Sequence, residues 1–350
     1  MGEVRIVTER QEWRACLAEI GSYDFYHTFD YHAADPVARE GKPVLLYFST
    51  KGGAIAVPLI LRRFPDAGDG AIYDAISAYG YPGPLSSLNT LTTQVVANFQ
   101  NGLRSALQDL GVISVFSRSH PLIGNHEVIQ GLGRLEPCGR TVAIDLEAPE
   151  EQQKQAYSKN LRRDIRRVVE AEVSCEISDS AADLDCFIEM YIQSMERVDA
   201  AAGYFFDKAY FERIVAAADF DMHLFICRLG TRPICGGLFS SVNGIIQYHL
   251  GGSDSDYLAL APTKLMFERV RHWGSATGHR YLHFGGGVGG QKDGLYRFKA
   301  RFSKDDYPFF VWKWIVEPDI YSRLVAVAKG SETPEPISYD GYFPAYRAGQ

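Results

Sequence analysis

Hydrophobic and polar positions along this chain follow one pattern that occurs twice. In the first half, apolar runs at 44–48 and 54–60 flank Lys51, Gly52 and Gly53, the signature of a β-hairpin. A loop rich in Gly, Pro and Tyr covers 79–85. A helical stripe over about 91–110 places Val95, Phe99, Leu103 and Leu107 on one face, with Gly111 as its stop, and a strand at 112–117 closes the unit. In the second half, runs at 222–228 and 234–240 form a hairpin, and Asn243-Gly244 turns the chain into a strand at 245–250. A loop at 251–261 leads to a helix opened by Pro262, which carries Leu265, Phe267, Val270 and Trp273 and stops at Gly278 before a strand at 280–284.

Three helices are predicted between the two repeats. They cover about 151–171, 181–200 and 207–218. The second has Ser180 as N-cap and Leu184, Phe187, Ile188, Tyr191, Ile192 and Met195 as its core stripe; the third buries Phe211, Ile214 and Val215. The fold class is α/β (α+β), with two units that arose by duplication. The expected boundaries are 1–145 and 146–330, with a tail at 331–350 packing irregularly on the core.

Composition narrows the class of molecule. The 350 residues are 46% hydrophobic and 23% charged, values of a soluble globular protein of two domains. No run of 18 apolar residues and no basic-then-apolar leader occurs, which predicts a cytoplasmic protein without a membrane span. The six cysteines are scattered, with no CxxC pair, and the nine histidines form no HExxH or His/Cys cluster, so neither a metal nor a disulfide framework is expected. A net charge of −7 excludes a globally basic nucleic-acid binder, and any phosphate must be met by a local patch.

Four features carry candidate chemistry. Leu295-Tyr296-Arg297-Phe298-Lys299-Ala300-Arg301-Phe302 alternates cations with aromatics, which reads as an extended segment with one basic and one aromatic face. It follows a glycine-rich run at 285–290 that lets a backbone approach a ligand. The helix at 151–171 aligns Lys159, Arg162, Arg163, Arg166 and Arg167, either a phosphate clamp or a solvated face. Tyr79 and Tyr81 are candidate walls of an aromatic pocket, and Asp74, Asp254 and Asp256 are candidate bases in loops after strands. No P-loop and no GxSxG elbow is present, and the run at 285–290 does not open the long helix a dinucleotide fingerprint requires.

The doubled unit, the Tyr-Gly-Tyr-Pro-Gly-Pro loop at 79–84, Tyr248-His249-Leu250-Gly251-Gly252-Ser253 before a Pro-started helix, Tyr281-Leu282-His283-Phe284-Gly285-Gly286 and the segment at 296–302 together resemble the Fem-type branch of the GNAT acyltransferase superfamily. The resemblance spans roughly 20–325 and is specific at 245–302. It implies two tandem GNAT-like domains, each a mixed, mostly antiparallel sheet flanked by helices, with the acyl-transfer site in the second. It implies amide formation from an aminoacyl-tRNA ester, without a cofactor, onto an amine of a peptide, nucleotide-linked or amino-sugar acceptor. In that pattern Phe298 borders the donor channel and Lys299 stabilises the acyl oxyanion. Arg162, Arg163 or Arg166 would meet acceptor phosphates, with Tyr248, His249, Arg297 and Arg301 as further substrate contacts.

Two departures from the family matter. The stretch at 251–261 lacks the glycine-rich pyrophosphate loop of coenzyme A-dependent members, and its carboxylates Asp254 and Asp256 would repel a pyrophosphate. The long helical-hairpin arm of some bridge-forming members is also missing. The rival readings are an N-acyltransferase using acyl-CoA or a carrier thioester, and a GNAT-like binding module without chemistry.

Overall fold

Both hairpin signals are realised as strands buried on two faces. The computed structural model describes residues 3–39, 41–64, 72–331 and 333–348. In chain order the elements are β1 (Val4–Val7), α1 (Arg10–Ile20), α2 (Phe29–Ala34), β2 (Gly41–Thr50), β3 (Gly53–Arg63), β4 (Tyr73–Ile76), β5 (Leu85–Ser86), α3 (Thr93–Asp109), β6 (Val112–Arg118), β7 (Arg134–Asp145), α4 (Glu150–Gln155), α5 (Lys159–Glu170), β8 (Val173–Ser178), α6 (Ala181–Arg197), α7 (Lys208–Val215), β9 (Asp221–Leu229), β10 (Arg232–Val242), β11 (Ile245–Ser253), α8 (Thr263–Ala276), β12 (Tyr281–Gly285), α9 (Gly294–Lys299), β13 (Asp306–Ile315) and α10 (Pro318–Ala328). The chain divides into two compact units, Met1–Cys138 with Phe309–Gln350, and Gly139–Pro308.

In the first unit the strand order is β1-β2-β3-β4-β6-β13, with β4 and β6 parallel and the other neighbours antiparallel. Leu46 and Phe48 join the core that contains Phe99 and Leu103 of α3, while the alternate residues Leu45 and Tyr47 join Trp13 and Leu17 of α1. Burial on both faces is why β2 and β3 read as continuous apolar runs rather than alternating ones. After α10 the described residues are largely irregular. Phe343 and Tyr346 pack with Tyr321 and Ile113, and Arg347 reaches the Asp74 carboxylate.

The second unit repeats the design in the order β8-β9-β10-β11-β12-β7, with β11 and β12 as its parallel pair. Apart from the two-residue β5, which pairs with β3 between β4 and α3, each repeat runs strand, two helices, three strands, helix, strand: β1, α1, α2, β2, β3, β4, α3, β6, then β8, α6, α7, β9, β10, β11, α8, β12. The last antiparallel strand, β13 in the first sheet and β7 in the second, lies outside the repeat it completes. Asn243 and Gly244 both have positive φ (48° and 76°), the type I′ geometry their sequence signals. One helix departs from expectation: 151–171 is two helices. The chain breaks at 156–158 because Tyr157 turns inward to donate to Glu268 of α8 (2.6 Å), and Ser158 then caps α5 through Leu161 N. Ser180 makes no side-chain cap bond; Ser178 Oγ instead accepts from Ser180 N (3.2 Å).

The close approach of α6 to β11 depends on Gly252. A Cβ there would meet Tyr191 N at 2.5 Å and Met190 C at 2.6 Å, both backbone atoms. Gly252→Ala is therefore expected to cost about 1–3 kcal/mol by overpacking, read as a lower urea midpoint at unchanged slope. An unchanged midpoint means that the helix and strand are not in this contact.

Candidate active site in the second unit

β11 and β12 pair over three residues, Ile245, Ile246 and Gln247 against Tyr281, Leu282 and His283. The register of β11 on β10 then slips: Leu238 lies opposite Leu250 but Phe239 opposite Tyr248, so His249 is the extra residue of a bulge. Beyond the bulge β11 continues its ladder with β10 as far as Ser253. A cleft of about 290 Å³ is lined by this half of β11 through Tyr248, Gly251, Gly252 and Ser253. Leu295 and Phe298 add apolar wall. Ser194 and Arg197 of α6, with Thr263 and Lys264 of α8, add hydroxyls and two cations.

Gly251 makes room for Tyr248. A Cβ at Gly251 would sit 2.1 Å from the Tyr248 hydroxyl, so the phenol lies directly on this backbone. The ring is braced edge-on by Phe267 (4.8 Å between centroids). Burial raises the phenol's pKa, so the hydroxyl keeps its proton.

The segment at 294–299 is a helix, not the extended strand its alternation suggests. Asp293 caps it: Oδ1 accepts from Tyr296 N (2.8 Å) and Oδ2 from Val288 N (3.0 Å), tying α9 to the preceding glycine loop. Burial pushes the Asp293 carboxyl up, but the backbone N–H groups of Tyr296, Val288 and Leu295 outweigh it and hold it below its ordinary value. Helical spacing turns Tyr296 and Lys299 inward, i and i+3, and leaves Arg297 exposed, donating to Lys292 O.

Lys299 is 6% exposed and donates from Nζ to Gly286 O at 2.7 Å. Its Nζ lies 6.0 Å from the centroid of the Tyr248 ring, one layer behind the cleft wall that Phe298 and Tyr248 form. Burial lowers its pKa to about 7, and the nearby Asp293 carboxylate resists that fall. A chargeable ammonium in a dry layer beside a cleft is able to meet developing negative charge.

The other expected residues fall in several places. Tyr79, Tyr81 and Asp74 belong to the first unit. Tyr79 is 46% exposed and Tyr81 packs edge-on to Tyr26 and Phe309. Asp74 is no free base, because Arg62 (2.6 Å) and Arg347 (2.5 Å) hold its two oxygens. Asp254 caps the turn after β11 by accepting from Asp256 N (3.0 Å) and pairs with Arg232 (2.8 Å). Its charge is locally balanced, which removes the repulsion expected against a pyrophosphate. His249 leaves the cleft side and meets the Tyr210 hydroxyl at 2.7 Å; burial lowers its pKa to about 3, so it is neutral. Arg162, Arg163 and Arg166 stand exposed on α5, and Arg301 is exposed just after α9.

Three contributors escaped the sequence reading. Arg197 is held by Ser194 Oγ (3.0 Å) and Ser255 Oγ (3.1 Å), and Lys264 by Asp164 on α5 (2.7 Å). Asp293 was legible in principle as an N-cap preceding Gly294; the other two are brought in by tertiary packing.

Residues 155–300 match the acetyltransferase (GNAT) domain family, so the cleft lies in a domain of the GNAT acyltransferase class. The fold is similar to that of FemX, with a TM-score of 0.70 at 13% identity over 91% of this chain and 98% of that one. L-PGS from Bacillus licheniformis is also similar (TM-score 0.54, 13% identity, 90% and 93% covered). So is the C-terminal domain of a putative lysylphosphatidylglycerol synthetase from Agrobacterium fabrum (0.54, 12%, 87% and 91%). No curated protein sequence matches the chain. The Fem-type GNAT fold inferred from the motifs is thus shown. Among the described residues no helix is long and apolar enough to cross a membrane.

The electrostatics are testable without a substrate. Heteronuclear NMR of the lysine side chains should place the Lys299 titration near pH 7, far below the ordinary 10.5. Asp293→Asn keeps a capping side chain but removes the charge that favours the ammonium, so the midpoint should move lower still. A wild-type midpoint near 10.5 would show that the lysine is solvated.

Proposed function

We propose that this protein is an aminoacyltransferase of the Fem type, forming an amide from an aminoacyl-tRNA ester and an amine of a peptide, nucleotide-linked or amino-sugar acceptor. The observation that carries the reading is the buried Lys299 ammonium beside the cleft of a GNAT domain. The Fem resemblance at 245–302 supports the donor class, and so does the aminoacyl product for which the Agrobacterium fabrum neighbour is named.

In this reading the ester carbonyl enters beside Phe298, and its oxygen meets the field of Lys299 Nζ, which stays on Gly286 O one layer behind the wall that Phe298 and Tyr248 form. The amine attacks the carbonyl carbon, and the C–N bond forms as the bond to the ribose oxygen breaks. The amine's proton ends on that leaving oxygen, so no net proton is left on the protein. Lys299 stabilises the oxyanion electrostatically, and the protonated Tyr248 hydroxyl is a second donor facing the cleft. Neither Asp74 nor Asp254 is the base, because arginines hold both. An activated ester needs little more than positioning.

One observation favours a second donor class. The start of α8 at Thr263 and Lys264, with Arg197 beside it, is a suitable place for a pyrophosphate, and Asp254 no longer opposes it. A donor panel separates the two. Charged tRNA should give a ribonuclease-sensitive product and acetyl-CoA none; ribonuclease-resistant acyl transfer would establish the thioester donor instead.

Lys299→Met should lower turnover by about 100-fold or more, as loss of an oxyanion donor does. The ratio of wild-type to Lys299→Met kcat/KM cancels the titration of the acceptor amine. Because only the ammonium stabilises the oxyanion, that ratio should fall about tenfold per pH unit above pH 7. A ratio that rises with pH would assign Lys299 the role of a base.

A further inference from the structure

α5 is an unusual helix for a protein of net charge −7. Its inward residues Leu161 and Val168 are buried, while Lys159, Arg162, Arg163, Arg166 and Arg167 are all exposed. Among the described residues, Lys159, Arg166 and Arg167 have no carboxylate within ion-pair distance; Arg162 donates to Gln155 O, and Arg163 stands 3.9 Å from Asp164. Exposed helices usually intersperse their cations with carboxylates at i+3 or i+4. Here Asp164, with 18% of its side chain exposed, is paired with Lys264, and Glu170 at the end of α5 lies i+4 from Arg166 and i+3 from Arg167 but makes no ion pair with either. The eight helical rises from Lys159 to Arg167 span about 12 Å, enough for several successive backbone phosphates.

The stripe is joined to the cleft. Lys264 lines the cleft and pairs with Asp164 of α5 at 2.7 Å. The hydrogen bond from Lys264, and the fields of Arg163 and Arg301 after it, hold the Asp164 carboxyl below its ordinary value, so four charged groups meet where α5 approaches α8. Ser158 N, at the start of α5, donates to Arg301 O (3.1 Å), which fixes Arg301 at the same end of the helix. A polyanion whose terminus occupies the cleft would cross Lys264 and Arg301 and then run onto the stripe.

Resting on the proposed donor class, we infer that the exposed face of α5, with Arg301, is the docking surface for the RNA body of the donor. Phosphate contacts of this kind position the strand without reading bases. Arginine suits them through its paired N–H groups, and four of the five stripe cations are arginine.

The test reads binding, not turnover, so it stands apart from the chemistry at Lys299. Fluorescence anisotropy with uncharged tRNA is measured for the full chain across a salt series. Wild-type protein should bind with a slope of log K against log salt of about −0.7 to −0.9 per phosphate contact. Lys159→Gln/Arg166→Gln/Arg167→Gln should weaken binding at least tenfold and flatten the slope by about two to three. Arg166→Lys/Arg167→Lys should retain most of the affinity. Circular dichroism melts of the variants should match wild type, since the three side chains are exposed. Equal tRNA binding by wild type and the Gln variant overturns the inference, as does absence of tRNA binding in wild type. Charge-dependent binding to phosphatidylglycerol vesicles with none to tRNA also overturns it, and makes the stripe a lipid-facing surface. Normal tRNA binding with no amide product from charged tRNA leaves this inference standing and removes the proposed function.

Discussion

Two parallel strands that share three residue pairs and then part need something other than hydrogen bonds to hold them apart. In the second unit that restraint is the packing of β11 on its neighbours beyond Gln247. The bulge at His249 turns that ring toward the Tyr210 hydroxyl, Gly252 lets the strand press on the α6 backbone, and Tyr248 folds over Gly251 against Phe267. The strand's energy is thus transferred from a β12 ladder to helix packing and aromatic contact. The cleft, the position of the α8 start and the dry layer around Lys299 all follow from this divergence.

Charge is handled in two ways in this unit. Buried cations are given partners: Arg271 is held by Glu268 (2.9 Å), Gln153 (2.8 Å) and Glu150 (3.1 Å), which locks α4 to α8. Lys299 has Gly286 O and the field of Asp293, fewer partners than Arg271, and its depressed pKa is the result. An isolated buried ammonium is costly unless it pairs or loses its proton. A site that keeps one in this state spends stability on a group poised near neutrality, a trait of functional positions. The cations of α5, by contrast, stay in water, where leaving them unpaired costs little.

The chain carries two versions of the same parallel pair in different surroundings. β4 and β6 run parallel over 73–76 and 112–116 as β11 and β12 do, and a helix connects each pair. In the first unit the residue at this pair, Asp74, is locked by Arg62 and Arg347, the latter from the far end of the chain. In the second unit the cleft lies beyond the parallel pair, along Tyr248, Gly251, Gly252 and Ser253.

The amino-acid sequence alone determined the local elements whose signals are short-range. Asn243-Gly244 adopts the positive φ values that only such a turn tolerates, Pro262 and Gly278 bracket α8, and Phe99, Leu103 and Leu107 mark the buried face of α3. The motifs at 245–302 also identified the Fem-type GNAT fold. The segment at 296–302 shows the limit: seven residues are too few to separate a period of 2 from one of 3.6, and Asp293 decided the outcome as a cap. Tertiary structure alone decided which strand completes each sheet, that Asp74 and Asp254 are held by arginines, and that Lys264 joins α5 to the cleft. The arginine and lysine contacts among these join residues 12 to 273 positions apart in the chain. Local propensity carries no information across such separations; only the shared need to bury apolar faces and balance charge brings those groups together.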